Sequence, residues 1–183
     1  MMDKQRFRSV CLKRLREASK NGAYKKDKMV LNALYRLIFQ TKAQRIMLYI
    51  PLGTEVDLNP LIKRLRREKK ELYAPFMEGK SFRLVKYRLP LEKKCFGIKE
   101  PKDSKQFKKK QIDLAIVPIV GTDSTRRRVG FGKGMYDRFY EKEIKNINKT
   151  VFVAREWCYS KTTITDDYDV KADYIVTPQY MDF

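Results

Sequence analysis

The stretch RRRVGFGKGMYDR, Arg126 to Arg138, sets Gly130, Gly132 and Gly134 at alternate positions around Lys133, in a chain with only eight glycines. Residues without a Cβ let the backbone turn into positive φ and approach an anion closely. Lys133, Arg128 and Arg138 supply charge against phosphate, and Asp137, one turn into the helix expected next, is placed to hold Mg²⁺ against those phosphates. The general phosphate motifs do not fit. A P-loop requires Ser or Thr after its lysine, where Gly134 stands, and the dinucleotide fingerprint requires its third glycine one residue later. The spacing therefore describes either a separate phosphate-loop design or a flexible surface loop beside a helix start.

Composition narrows the chemistry. The chain has no histidine, which excludes Ser-His and Cys-His catalysis and every histidine metal site. Lys, Arg, Asp, Glu, Tyr and backbone groups must do the work. Cys11, Cys95 and Cys158 lie far apart and form no CxxC pair, so neither a disulfide framework nor a zinc site is suggested. Lys and Arg total 42 against 22 Asp and Glu, a net charge of +20 that attracts nucleic acid, acidic membrane or polyanionic small molecules, unless it is only a solvated basic surface. A length of 183 residues with 43% hydrophobic content fits one globular domain over 1–183. No apolar run is long enough to cross a bilayer, and the N-terminus reads as charged helix rather than signal peptide; the expected compartment is the cytoplasm.

The elements that must position these residues follow from periodicity. Residues 3–20 read as an amphipathic helix through Phe7, Val10, Cys11, Leu15 and Ala18, ended by Asn21-Gly22, and a second helix spans about 25–40. RIMLYI, 45–50, reads as a buried strand stopped by Pro51 and Gly53. Asn59-Pro60 opens a helix to about Lys69, and ELYAP, 71–75, is a strand. The alternating SFRLVKY, 81–87, is a sheet edge or hairpin, and 88–110 is irregular with a lysine-rich end. IDLAIVP, 112–118, is the clearest buried strand; the glycine loop follows it, and a helix runs from near Gly134 to about Ile147. TVFVA, 150–154, and DYIVT, 173–177, are further strands. Strands alternating with helices predict a three-layer α/β/α fold with a central, mostly parallel sheet. In such sheets ligands sit beyond the carboxyl ends of the strands, where the glycine loop falls.

With these pieces in order, DLAIVPIVGTD…RRRVGFGKGMYDRFY resembles the signature of the 5-formyltetrahydrofolate cyclo-ligase (methenyltetrahydrofolate synthetase) family: a strand ending in V-P, an aspartate, then R-x-G-x-G-x-G-x-Y-D. KQRFR, YIPLGTEVD, FGIKEP and DYDVKADYIVT resemble its other segments in the family's order, so the likeness spans nearly the whole chain. The resemblance implies an ATP-dependent cyclisation of 5-formyltetrahydrofolate to 5,10-methenyltetrahydrofolate, with release of ADP and phosphate, through phosphorylation of the formyl oxygen. It implies that Lys4, Arg8 and the run Arg128, Gly130, Phe131, Gly132, Lys133, Gly134, Met135 and Tyr136 bind ATP, with Lys133 and Arg128 catalytic. Ile50, Glu55 and Phe131 to Met135 would line the folate side, and Asp137 and Asp173 would hold Mg²⁺. The implied partners are ATP and a reduced folate, met by a monomer with no membrane and no obligatory nucleic acid. Arg126, Phe131, Met135 and Tyr168 depart from the usual family residues.

Without the resemblance, Lys4 and Arg8 are one solvated basic face, Glu55 an exposed turn carboxylate, Tyr136 a core aromatic and Asp173 a strand-edge cap. Two other functions use the same features: a basic nucleic-acid-binding protein, or an ATP-dependent ligase or kinase of the same fold with another substrate.

Overall fold

The computed structural model describes residues 3–93, 99–103 and 111–183; the lysine-rich patch 105–110 lies outside them. Helix α1 spans Lys4–Lys20, its first turn capped by the Asp3 side chain, which accepts the Arg6 N–H at 2.7 Å. Phe7, Cys11, Leu15 and Ala18 form its buried stripe. Gly22, in the left-handed region at φ 70°, starts α2 at Ala23, two residues ahead of the expected point; α2 ends at Gln40.

Seven strands form the main sheet. They are β1 (Arg45–Met47), β2 (Glu71–Glu78), β3 (Ser81–Lys86), β6 (Ile112–Pro118), β9 (Ile147–Val153), β11 (Tyr174–Val176) and β12 (Met181–Asp182), in the spatial order β12-β11-β9-β6-β1-β2-β3. The inner pairings are parallel, and antiparallel β3 and β12 close the two edges. The short ribbon β4 (Glu92–Lys93) and β5 (Lys99–Glu100) pairs separately.

Side chains alternate across the inner strands as the pleat requires. Ile46, Leu72, Leu114, Val151 and Val176 face α2 and α3 (Asn59–Arg67), while Met47, Tyr73, Ala115, Phe152 and Ile175 face α1 and α4 (Met135–Glu143). Helices thus cover both faces of a mostly parallel sheet, as the periodicity predicts.

Three expectations are corrected. The glycine loop does not follow β6 directly, because β7 (Gly121–Asp123) and β8 (Arg128–Val129) intervene; they pair with each other, and β7 also pairs with β10 (Tyr159–Ser160). Strands of two or three residues are too short for alternation to reveal. Helix α4 stops at Glu143 and passes through one 3₁₀ turn, Ile144–Asn146, so β9 begins three residues earlier than expected. The distant cysteines do meet: Cys11 of α1 and Cys158, beyond β9, form a disulfide across a Cα separation of 5.8 Å, although 147 positions separate them in the chain. Spacing rules detect local cysteine pairs and are blind to this one.

Candidate functional site

An apolar cavity of about 340 Å³ opens beyond the carboxyl ends of β1 and β6. The segment after β1 forms one wall through Tyr49, Ile50, Leu52 and Glu55; Pro75, Met77 and Phe82 of the β2–β3 hairpin form another; Phe131 and Lys133 to Tyr136 form a third. Of the residues expected on the folate side, Ile50, Glu55, Phe131, Lys133, Gly134 and Met135 line this cavity and Gly132 does not; Arg128 and Tyr136, expected on ATP, line it as well.

Each glycine of the loop has its own reason. Gly132 and Gly134 adopt φ of 95° and 59°, and Gly134 is the N-cap of α4. Gly130 leaves room for the Arg128 guanidinium, which a Cβ would strike. Arg128 is 5% exposed; its Nε and Nη2 donate to the Pro118 carbonyl at 3.0 and 2.9 Å, and it lies over the Tyr136 ring at 4.6 Å. Burial lowers its pKa, partly countered by Tyr136, Asp137 and Glu55. Tyr136 packs edge-on against Phe82, at 5.0 Å, as the core reading has it, and also lines the cavity.

The loop's other side meets α1. Arg8 donates from Nε to the Gly130 carbonyl at 2.9 Å and lies close to Gly132. One turn earlier, Lys4 is bonded to Asp166 at 2.9 Å and to the buried Asp169. Burial alone would lower the Lys4 pKa; the bonds to Asp169 and Asp166 carry it above its ordinary value. Asp123 fixes the segment before those aspartates. Its Oδ2 accepts the backbone N–H groups of Ile164 and Thr165, both at 2.9 Å, and its Oδ1 accepts from Thr125.

Glu55 is oriented from both sides. Its Oε2 accepts the Leu52 N–H at 2.9 Å, while Tyr49 ties the same loop by donating to the Val56 carbonyl at 3.0 Å. Burial raises the Glu55 pKa, against the opposing pull of the Leu52 hydrogen bond, Arg128 and Arg155. Beneath the loop, Arg155 donates to Glu55 O at 2.6 Å, Gly53 O at 3.2 Å and Ser19 Oγ at 2.8 Å, and pairs bidentately with Asp27 at 2.7 and 2.8 Å. Sequence reading misses this clamp, since Asp27 and Arg155 stand 128 positions apart. A charged residue on the apolar stripe of α2 is the one trace it leaves.

Asp137 sits in the first turn of α4, and its Oδ1 is buried with no hydrogen-bond partner among the described residues. Asp173 precedes β11; its carboxylate accepts from the Thr150 N–H at 2.8 Å and from Lys149 at 3.0 Å. Among the described residues these two carboxylates share no partner, and no three metal-ligating side chains cluster. An orphaned buried carboxylate oxygen suits a cation whose other ligands come from phosphate and water, the habit of Mg²⁺.

The model of the 5-formyltetrahydrofolate cyclo-ligase family matches residues 1–178. A 5-formyltetrahydrofolate cyclo-ligase of Haemophilus influenzae is 31% identical over 119 residues, 61% of this chain and 64%, just under two thirds, of that relative. The solved structure of Aquifex aeolicus 5,10-methenyltetrahydrofolate synthetase superposes with a TM-score of 0.78 at 29% identity, covering 98% of this chain and 92% of that one. A 5,10-methenyltetrahydrofolate synthetase from Mycoplasma pneumoniae, 21% identical, shares the fold with a TM-score of 0.69, covering 97% and 99% of the two chains. Together with the glycine loop set between an apolar cavity and a basic helix, the match over nearly the full length places this chain in the 5-formyltetrahydrofolate cyclo-ligase family, a family of enzymes.

Proposed function

We propose that this chain converts 5-formyltetrahydrofolate to 5,10-methenyltetrahydrofolate at the expense of ATP, with the folate in the cavity and the ATP phosphates on the α1 side of the glycine loop. One observation carries the reading: the loop's side chains Phe131, Lys133, Met135 and Tyr136 face the cavity, while its backbone at Gly130 and Gly132 lies against Arg8. A group passed between the two ligands would cross at this loop.

The formyl group is an amide whose oxygen leaves poorly. Transfer of the γ-phosphoryl to that oxygen releases ADP and creates a good leaving group. The neighbouring N10 then attacks the formyl carbon, loses its proton, and phosphate departs as the ring closes. Phosphoryl transfer needs positioning and charge stabilisation more than a proton shuttle, so a chain without histidine is suited to it. Lys133 and the buried Arg128 would stabilise charge on the transferring group, where low dielectric strengthens their effect. Lys4 and Arg8 would hold the phosphates from α1, with Lys4 exchanging its aspartate partners for them. Asp137 would hold Mg²⁺ through its orphaned oxygen, and Asp173 retains lone pairs beyond its two bonds to be the second ligand. When bound, the ion would neutralise phosphate charge.

The test mixes the protein, Mg-ATP and 5-formyltetrahydrofolate and follows the methenyl chromophore alongside ADP. Stoichiometric appearance of both is expected. ADP without the chromophore would assign another substrate, and neither product would overturn the reading.

A further inference from the structure

The cavity holds a second carboxylate that neither the glycine motif nor the loop after β1 supplies. Glu100 of β5 is 4% exposed and lines the cavity on the side of Met77 and Pro75. Its Oε1 accepts the Met77 N–H at 3.3 Å, long for an N–H···O bond, and this is its one hydrogen bond among the described residues. No cation is paired with it among them.

The two glutamates of the cavity are therefore in different situations. Glu55 takes a 2.9 Å bond from the Leu52 N–H and feels both Arg128 and Arg155. Glu100 has one weak donor. A carboxylate taken out of water is destabilised unless charge or hydrogen bonds replace its hydration. A buried acceptor with spare lone pairs on a ligand cavity is suited to donors that arrive with the ligand.

We propose that Glu100 is a specificity-determining residue that accepts hydrogen bonds from the donor edge of the bound pterin, its ring N–H and adjacent exocyclic amino group. The proposal rests on the folate reading of the cavity. A carboxylate matches two parallel N–H donors in bidentate fashion, and a 2-amino-4-oxo pteridine presents such a pair. Glu100 is bonded to Met77 of the hairpin wall, and this would leave the reacting end of the substrate to the glycine loop. An analogue lacking the amino group leaves the buried carboxylate short of a donor, and this is how a polar site rejects a close mimic.

Glu100→Gln tests this, because the amide oxygen still accepts from Met77 while the charge and one acceptor toward the ligand are lost. The KM for 5-formyltetrahydrofolate should rise about 10- to 100-fold with the KM for ATP unchanged. The 2-desamino analogue should lose a comparable factor on the wild-type protein and little more on Glu100→Gln. Wild-type folate KM in the variant, or full discrimination against the analogue retained by it, overturns the proposal. Should the variant fail to fold, the wild-type protein decides alone: equal kcat/KM for folate and analogue overturns the proposal. Absence of methenyl product from the wild-type protein overturns the functional reading instead, and the proposal with it.

Discussion

The two sides of the glycine loop are built by different means. On the cavity side, shape is fixed by packing: Phe82 stacks on Phe139 at 4.4 Å and meets Tyr136 edge-on, Arg128 is locked onto Pro118, and Arg155 with Asp27 clamps the loop that carries Glu55. On the α1 side, charged groups are held by one another. Lys4 is shared between Asp166 and Asp169, and Arg8 rests on the Gly130 carbonyl. The first region has closely packed walls, which suits the ring system proposed for it, because voids in a packed wall are costly. The second is a set of polar contacts in which the exposed Lys4–Asp166 pair can be exchanged for phosphate at small net cost, while the buried Asp169 keeps the Asp166 N–H when Lys4 turns to a ligand.

The contrast can be broken at its strongest point first. Arg155→Ala leaves the buried Asp27 carboxylate without its partner. Stability should fall by about 3–5 kcal/mol, read by chemical denaturation, and the folate KM should rise more than the ATP KM. Equal effects on both substrates would mean that the clamp supports the whole fold rather than the cavity.

Lys133→Ala strikes the boundary between the two regions. Turnover should fall about 10²- to 10³-fold with the melting temperature nearly unchanged. Normal turnover would remove Lys133 from the chemistry.

Arg8→Ala strikes the α1 side alone. The ATP KM should rise about tenfold, the size of one charge-assisted hydrogen bond, while folate binding, measured without nucleotide, stays as it was. Weakened folate binding in this variant would show that the loop transmits changes between its two faces.

The smallest effect concerns pH. Burial raises the Asp123 pKa, but the hydroxyls of Thr125 and Thr165 and the N–H groups of Ile164 and Thr165 outweigh it and bring the value to about 2. A depressed carboxylate contributes stability that is present above its unfolded value and lost as pH falls through its folded one. Between about pH 4 and pH 2, Asp123 should release the segment leading to Asp166 and Asp169, and with it the grip on Lys4. Asp123→Asn should be less stable at neutral pH and lack this acid-dependent loss, as followed by the melting temperature.

Much of the fold was legible because its signals are local. The apolar run 112–118 became the buried β6, and the stripe Phe7, Cys11, Leu15 became the buried face of α1. The left-handed turn at Gly22 also followed from residue type. Arg126 shows where type misleads: it takes φ 62° at a turn where glycine is the usual choice, with its guanidinium held by Asp182 and the Asp173 carbonyl. The β7, β8 and β10 strands escaped because two or three residues carry no period.

The sequence by itself determined which chemistry was available. The absence of histidine leaves the work to Lys, Arg, Asp, Glu, Tyr and backbone groups, and alternate glycines around Lys133 mark the segment proposed to meet phosphate. Tertiary structure alone decided which charges face one another. Lys4 meets Asp169 across 165 positions, Arg155 meets Asp27 across 128, Cys11 meets Cys158 across 147, and Glu100 comes to line the cavity of the glycine loop. Pairings at such separations leave no periodic mark in the chain, because they arise from the order in which parallel strands stack rather than from any local preference of the residues they join.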